Sequence, residues 1–284
     1  MCRFIAYIGK PLLADELLFK PPNSLINQSM NAKESDIKLN GDGFGLGWYA
    51  HEIDFTPGLY TSVLPAWNDR NLTYLAEKIR TNCLLAHVRA ASTGQISFLN
   101  CHPFHYQRFL FMHNGSVGGF DIIKRHIRHQ LSDEFYNWIQ GQTDSEHFFA
   151  LFLQIFHDKG YEQTAANIAL ALRDTLHRLL EIQQKYKIDE PNYLNLVLTN
   201  GLSLVSCRIS NDKDYSPTLH YSAGSQYEYH KGVCHMLPPV DNQNEAVIIS
   251  SEKLTNFKAE WQTIPVNHCL LVHQNLNLKV IALE

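Results

Sequence analysis

Blocks of apolar residues divide the chain into strand-like ends and a helical middle. Arg3 to Gly9 form an apolar run closed by Gly9-Lys10-Pro11, which predicts a buried strand. From His147 to Phe156, and again from about 163 to 185, apolar residues recur at helical spacing, so two long helices are expected. After residue 192, short apolar runs separated by turns predict further strands. This order indicates one layered α+β domain, residues 2–284, in which helices cover antiparallel sheets.

Shorter segments between these blocks predict a loop, a strand and either a turn or a binding element. Asn23 to Ser35 is polar and predicts a surface loop. Cys83 to Arg89 predicts a buried strand that ends on an arginine, which is costly to bury unless it meets an anion. Arg108 to His113 predicts a strand that runs into Asn114-Gly115. Asn-Gly is typical of a type I′ hairpin turn, but an asparagine amide beside a glycine N–H would also suit an oxyanion hole.

The charge and hydropathy of the chain exclude several classes of partner. The 284 residues carry a formal net charge of −4, with 45% hydrophobic and 18% charged residues, which is an ordinary globular composition. The sequence has no basic stripe, so a nucleic-acid partner is not expected. No apolar run approaches the ~20 residues that span a bilayer, and the N-terminus lacks the regions of a signal peptide. We therefore expect a cytoplasmic protein with no membrane partner.

Cysteine and histidine residues give no metal motif. The six cysteines are scattered without a CxxC pair, which predicts reduced thiols rather than a disulfide framework or a zinc site. The 15 histidines include no HExxH and no paired His/Cys cluster at ligand spacing. We expect no metal and no cofactor.

Cys2 directly follows the initiator methionine, and this position suits a nucleophile. Removal of Met1 would leave Cys2 with a free α-amine beside its own thiol. An α-amine has a pKa near ~7.7–8.0, so it can accept a proton near neutral pH, and the thiolate is the attacking species. The alternative is that Cys2 is a small buried residue at the start of a strand.

Three further positions supply the other groups that a bound amino-acid amide would need. The strand-ending Arg89 suits a carboxylate, because a guanidinium binds it through two hydrogen bonds. The Asn114 amide and the Gly115 N–H would stabilise an oxyanion. Asp144 would pair with an ammonium group. Its alternative is an ordinary acid in the first turn of a helix, because Thr143 and Glu146 fit a capping box.

Six motifs in this order resemble the class II, N-terminal-nucleophile glutamine amidotransferases. The matching stretches are Met1-Cys2-Arg3, Asn40-Gly-Asp-Gly-Phe-Gly-Leu-Gly-Trp48, Ala86-His-Val-Arg-Ala-Ala-Ser-Thr-Gly94, His102-Pro-Phe104, Phe111-Met-His-Asn-Gly115 and Thr143-Asp-Ser-Glu146. A later stretch, Ser250-Ser-Glu252 through Trp261 and Ile264-Pro265, resembles a stand-alone subgroup. That subgroup contains the ergothioneine-pathway γ-glutamyl amidohydrolase and a glutathione-degrading amidotransferase-like subunit.

The resemblance implies a four-layer αββα fold and a role for each candidate residue. It makes Cys2 the nucleophile, with Asn114 and Gly115 as the oxyanion hole. Arg89 would hold the substrate α-carboxylate and Asp144 the α-amine. Ser92 and Thr93 stand where family members place residues of the carboxylate pocket. The sequence departs from some members here, since they carry an aromatic residue at position 90 and a histidine at position 93.

The resemblance therefore implies a hydrolase that cleaves the γ-amide of glutamine or of a small γ-glutamyl compound through a thioester on Cys2. An alternative is a glutaminase subunit that supplies ammonia to a separate synthase or acceptor chain. A third hypothesis is a non-catalytic γ-glutamyl-binding module, which applies if Met1 is retained and Cys2 has no free amine.

Overall fold

Two β-sheets stacked face to face form the centre of the molecule in a computed structural model that describes residues 2–91 and 94–283. The strands are β1 (Arg3–Leu13), β2 (Phe44–Tyr49), β3 (Pro57–Ser62), β4 (Arg80–Val88), β5 (Phe104–Tyr106), β6 (Phe109–Ser116), β7 (Tyr193–Thr199), β8 (Leu204–Ser210), β9 (His220–Gly224), β10 (Gln226–His230), β11 (Val233–Leu237), β12 (Ala246–Ser250), β13 (Gln262–Thr263), β14 (His268–Val272) and β15 (Leu278–Ala282).

The α-helices lie on the outer faces of these sheets. They are α1 (Asp15–Leu18), α2 (Leu25–Met30), α3 (Arg70–Ala76), α4 (Phe120–Arg128), α5 (Asp133–Trp138), α6 (Asp144–Asp158) and α7 (Ala165–Lys185). Short 3-10 helices cover Ala66–Asn68, Phe98–Asn100 and Lys258–Glu260. Among the described residues, no helix is both long enough and apolar enough to cross a membrane.

The first sheet has the strand order β13-β9-β12-β1-β4-β2-β3, and the second has the order β15-β14-β8-β7-β6-β5. Their strand pairs are antiparallel, and β10 and β11 form a separate hairpin. In the first sheet β1 lies between β12 and β4, and in the second β6 lies between β7 and β5. Both strands are therefore paired on both sides, with Cys2 immediately before β1 and Gly115 near the end of β6.

Alternation along the strands separates three hydrophobic cores and so defines four layers. Phe4 and Ala6 of β1 pack with Met112 of β6 in the core between the sheets. Ile5 and Tyr7, which point the other way, pack in a second core with residues of α1, α2 and α3. A third core joins the outer face of β6 to α6 and α7, and within it the Phe111 and Phe149 rings stack 4.9 Å apart. The predicted layering of helices over sheets is thus present.

The segment 23–35 is not the continuous loop that its polarity predicts, because α2 occupies Leu25–Met30. The Ser24 hydroxyl accepts the Asn27 N–H and caps this helix. Leu25 and Ile26 are buried against the first sheet, together with the polar side chain of Gln28. These tertiary contacts stabilise the helix in spite of its polar residues. The prediction of a loop here is wrong.

The prediction of six reduced cysteines is also wrong, since Cys207 and Cys269 form a disulfide. The two residues are separated by 62 positions but face each other on the paired strands β8 and β14. Spacing along the chain gives no sign of this pair, because strand register alone brings the two side chains together. Cys2, Cys83, Cys101 and Cys234 are free thiols.

Candidate active site

Cys2 lies at the end of the space between the two sheets, immediately before β1. Its side chain continues the inward alternation of Phe4 and Ala6, so the thiol points toward the second sheet. The Ala90 N–H donates to Cys2 Sγ at 3.3 Å, and Ala90 O lies 3.4 Å from the same sulfur. Burial raises the pKa of the Cys2 thiol, while the Ala90 N–H and the Arg89 guanidinium oppose part of that rise.

Arg89 follows β4 and lies beside the glycine-rich turn. Its N–H donates to Gly43 O at 2.8 Å, and Arg89 O accepts the Asp42 N–H at 2.9 Å. The Asp42 carboxylate then accepts the Ala91 N–H at 2.8 Å. Gly43 has a φ of +107°, and a Cβ there would lie 2.8 Å from Ser62 O, so glycine is required. The turn therefore fixes the segment that contacts the Cys2 thiol. The Arg89 side chain is positioned separately, because its Nη1 donates to Gln95 O at 3.1 Å.

Asn114 and Gly115 lie inside β6 and pair with Asn195 and Leu194 of β7, so the hairpin-turn interpretation is wrong. Asn114 continues the inward-facing series of Leu110 and Met112 and is fully buried. Gly115 has a φ of +150°, and a Cβ there would lie only 1.7 Å from a backbone oxygen of β7. Both residues thus reach the same end of the inter-sheet space as Cys2.

Asp144 is the first residue of α6 and is almost fully buried. Its Oδ2 accepts the Val117 N–H at 2.9 Å, and its Oδ1 accepts the Ser145 N–H at 2.9 Å. Thr143 caps the helix by accepting the Glu146 N–H, which is one half of the predicted capping box. The Glu146 carboxylate accepts the N–H groups of Gln140 and Gly141 instead. The Asp144 carboxylate therefore joins the start of α6 to the chain just beyond Gly115, in addition to any contact with a ligand.

Two buried histidines, His87 and His113, lie near the site. His113 Nε2 donates to Tyr193 O at 3.0 Å, and its Nδ1 lies 2.9 Å from the Ser145 hydroxyl oxygen. The His87 ring lies 4.3 Å from the His102 ring, and burial lowers the pKa of His87 to about 3. A histidine with that pKa is neutral at physiological pH.

A buried ion pair connects the nucleophile segment to a loop over the site. Arg3 Nε donates to Cys2 O at 2.6 Å, and Arg3 Nη1 lies 3.4 Å from the carboxylate of Glu252. Glu252 also accepts the backbone N–H groups of Lys33 and Glu34 at 2.9 and 3.0 Å. Because one carboxylate serves both segments, the loop that follows α2 is held over Cys2.

This loop forms one wall of a cavity of about 270 Å³ that opens onto the Cys2 thiol. Among the described residues, its lining comprises Cys2, Ser35, Asp36, Ile37, Ala90, Gly115, Ser116, Tyr193 and Tyr215. Of the predicted site residues, Cys2 and Gly115 line it. Arg89, Asn114 and Asp144 are not among the described residues that line it, and Ser92 and Thr93 lie outside the described residues.

Sequence reasoning missed Tyr193, Tyr215 and Ser251 at this site. The Ser251 hydroxyl contacts both Asn114 and the N–H of Phe4. Tyr193 and Tyr215 stand in no motif, and Ser251 stands in the Ser250-Ser-Glu252 stretch without a role being assigned to it. Inward alternation in β7 and β12 would have placed Tyr193 and Ser251 on the correct face. Among residues 2–91 and 94–283, no group of three or more His, Cys, Asp or Glu side chains is arranged to hold a metal ion.

The sequence matches the model of class II glutamine amidotransferases over residues 23–281. The probable glutamine amidotransferase DUG3 of Saccharomyces cerevisiae is 35% identical, and the match covers 96% of this chain and 82% of that protein. The gamma-glutamyl-hercynylcysteine sulfoxide hydrolase of Mycobacterium tuberculosis is 33% identical, over 41% of this chain and 50% of its own length.

Solved structures share the fold over the whole chain. A glutamine aminotransferase class-II domain protein from Silicibacter pomeroyi superimposes with a TM-score of 0.66 at 25% identity and covers 99% of both chains. Glutamine phosphoribosylpyrophosphate amidotransferase from B. subtilis gives a TM-score of 0.59 at 12% identity, over all of this chain and 49% of that one. The second likeness shows the fold alone, and it confirms the predicted four-layer α+β arrangement.

Proposed function

Because this chain belongs to the class II glutamine amidotransferases, we propose that Cys2 cleaves the γ-amide of glutamine or of a small γ-glutamyl compound. The observation that carries this proposal is the Cys2 thiol, which lies on a cavity shared with Gly115 at the open end of the inter-sheet space. A relative that is 33% identical over 41% of this chain is named gamma-glutamyl-hercynylcysteine sulfoxide hydrolase, which supports the same bond type.

The reaction begins with removal of Met1, which frees the α-amine of Cys2. That amine accepts the thiol proton as sulfur attacks the γ-carbonyl carbon, and it then gives the proton to the departing amine. The product is a γ-glutamyl thioester on Cys2. Water attacks this thioester, the amine takes a proton from the water, and glutamate leaves as the thiol is restored.

Asn114 and Gly115 stabilise the tetrahedral intermediate in this mechanism. The Asn114 amide and the Gly115 N–H donate to the oxygen that gains negative charge. Asn114 is fully buried, which keeps competing water away from its amide and strengthens its hydrogen bond, whereas Gly115 lies at the cavity surface. The strand β6 is held on its far side by β7, so the two donors are preorganised by the sheet.

Arg89 and Asp144 hold the amino-acid head group, with Ser92 and Thr93 completing the carboxylate pocket. The guanidinium of Arg89 is buried beside the Cys2 contact residue Ala90 and is fixed by Gln95 O. A buried guanidinium is stabilised when it meets a carboxylate. We further propose that residues 2–284 act as one cytoplasmic domain on a small-molecule substrate.

One experiment tests the nucleophile directly. Mass spectrometry establishes whether Met1 is absent from active protein, and the protein is then given glutamine, γ-glutamyl amides and a diazoketone analogue of glutamine. We expect turnover and a covalent label on Cys2, with Cys83, Cys101 and Cys234 unlabelled. Cys2→Ser should remove most turnover and leave the unfolding transition in place. Retained Met1 in active protein, or turnover without Cys2, would refute the mechanism.

A further inference from the structure

The predicted head-group residues lie on one side of Cys2. Arg89 follows β4, and in the first sheet β4 is one neighbour of β1. Asp144 begins α6, and Gln142 just before it donates its N–H to Asn100, which precedes β5. In the second sheet β5 is one neighbour of β6. The two anchors thus share the β4 and β5 edge of the site.

The cavity extends toward the opposite edge. The Glu34 carboxylate lies 2.8 Å from Nε2 of His220 on β9, and the Glu34 N–H donates to Glu252, which follows β12. The loop with Asp36 and Ile37 therefore lies on that side of β1. Tyr193 begins β7, the other neighbour of β6, and Tyr215 lies in the polar loop between β8 and β9. The space between these segments lies across the thiol from the head-group anchors.

Two aromatic rings form the far wall of this space. The Tyr193 and Tyr215 rings lie edge to face with centroids 5.5 Å apart. The Tyr193 hydroxyl donates to the Asp212 carboxylate, which fixes the ring and raises the pKa of the phenol to about 12. Tyr215 is 39% exposed and Ile37 is 48% exposed, so both leave apolar surface open beside the nucleophile.

The cavity as a whole, which also includes the surface of Cys2, Ala90 and Gly115, is larger than a small leaving group. The cavity measures about 270 Å³, whereas a water-sized molecule such as ammonia occupies roughly 30 Å³. Apolar and aromatic walls with a few polar groups are typical of sites that bind larger organic molecules. A leaving group with a flat apolar part would cover the exposed faces of Tyr215 and Ile37.

We propose that Tyr193, Tyr215 and Ile37 form a leaving-group subsite that selects γ-glutamyl amides of aromatic or other flat apolar amines. This inference rests on the proposed function, since it assigns the group that leaves Cys2 when the thioester forms. Tyr215 supplies the ring that contacts the substrate, and Tyr193 holds that ring in place.

Two amides with the same acyl group test the subsite. L-γ-glutamyl benzylamide and L-γ-glutamyl methylamide both release an alkylamine, so they differ chiefly in the ring offered to the cavity. We expect kcat/KM of the native protein to be about three- to tenfold higher for the benzylamide, the gain of one aromatic contact. Glutamate release measures both rates.

Variants of Tyr215 assign the difference to its ring. Tyr215→Ala should lower kcat/KM for the benzylamide about three- to tenfold and leave that for the methylamide within about twofold. Tyr215→Phe keeps the ring and should retain the preference. Tyr229→Ala removes an exposed tyrosine on β10 and serves as the matched control, with no change expected for either amide.

The outcomes separate this inference from the proposed function. Equal kcat/KM for the two amides in the native protein, or an equal loss for both in Tyr215→Ala, would overturn the subsite. Turnover of glutamine without turnover of either amide would also overturn it and leave the hydrolase activity intact. No turnover of glutamine or of either amide would overturn the proposed function and the subsite together.

Discussion

The hydroxyl oxygen of Ser251 lies 3.3 Å from Nδ2 of Asn114 and accepts the Phe4 N–H at 3.1 Å. Ser251 follows β12 and continues its inward-facing side. One buried hydroxyl therefore joins the side chain proposed for the oxyanion hole to the strand that carries Cys2. Within the part of the chain that the structure describes, Asn114 Oδ1 has no hydrogen-bond partner, so Ser251 is the contact that orients this amide.

We expect Ser251→Ala to lower kcat about tenfold while KM stays within about twofold, because the Asn114 amide loses the contact that aims it. Complete loss of an oxyanion donor costs about 10²–10³ in kcat, which sets the upper limit. Steady-state kinetics with glutamine or a γ-glutamyl amide provide the measurement.

Ser250→Ala is the matched control, since that hydroxyl is equally buried. Among the described residues, its hydrogen-bond partner is Phe4 O and not Asn114. Both variants should lose about 1–3 kcal/mol of unfolding free energy. If both variants keep the native kcat, Ser251 does not position Asn114.

Arg89→Lys should raise KM and lower kcat/KM about tenfold or more, because a lysine cannot bind a carboxylate through two parallel hydrogen bonds. The kcat value should change less, since the proposed contact of Arg89 is with the head group and not with the reacting carbon. Arg70→Lys, on the solvent side of α3, is the control. An unchanged KM in Arg89→Lys would rule out its role in carboxylate binding.

Acid should destabilise the protein through His87. Burial lowers the folded-state pKa of His87 to about 3, below the ~6.5 of an unfolded histidine. The unfolded state therefore binds a proton as the pH falls below about 6.5 while the folded state does not, and stability is lost between about pH 6.5 and 3. Protonation of this one histidine in the unfolded state should lower the free energy of unfolding by about 2 kcal/mol between pH 7 and pH 5.

Denaturant unfolding of His87→Phe at both pH values tests this expectation. The variant keeps a ring against His102. Between pH 7 and pH 5, its free energy of unfolding should fall by about 2 kcal/mol less than that of the native protein. An identical pH dependence in the two proteins would show that His87 takes up a proton in the folded state.

Reduction of the Cys207–Cys269 disulfide should lower the unfolding free energy by about 4 kcal/mol, as the loop-entropy relation gives for a separation of 62 residues. Thiol titration of denatured protein should find Cys2, Cys83, Cys101 and Cys234 free before reduction. Reactive Cys207 and Cys269 in unreduced protein would contradict this pairing.

Periodicity in the sequence was sufficient for the elements whose signal is local. Apolar residues three and four apart predicted α6 and α7, and alternation after residue 192 predicted β7 and β12. Local rules failed where tertiary contact competes with them. The Asn114-Gly115 pair is typical of a turn, but pairing with β7 keeps it in a strand. The cap and buried face of α2 likewise outweigh its polar composition.

The amino-acid sequence was sufficient to predict the family, the order of the motifs and the candidate catalytic side chains. The six motifs predicted Cys2, Arg89, Asn114 and Asp144 without any coordinates, because each marks a short stretch of backbone with a recognisable residue pattern. Membership of the class II glutamine amidotransferases bears out that resemblance.

The surroundings of those side chains depend on tertiary contacts between segments far apart in the sequence. Cys2 meets Ala90 across 88 positions of the chain, and Asn114 meets Ser251 across 137. Such contacts depend on which strands are neighbours and in which register, and no local pattern encodes either. The Tyr193–Tyr215 wall and the Cys207–Cys269 bond follow from the same cause, since a side chain's partners are set by the packing of the two sheets.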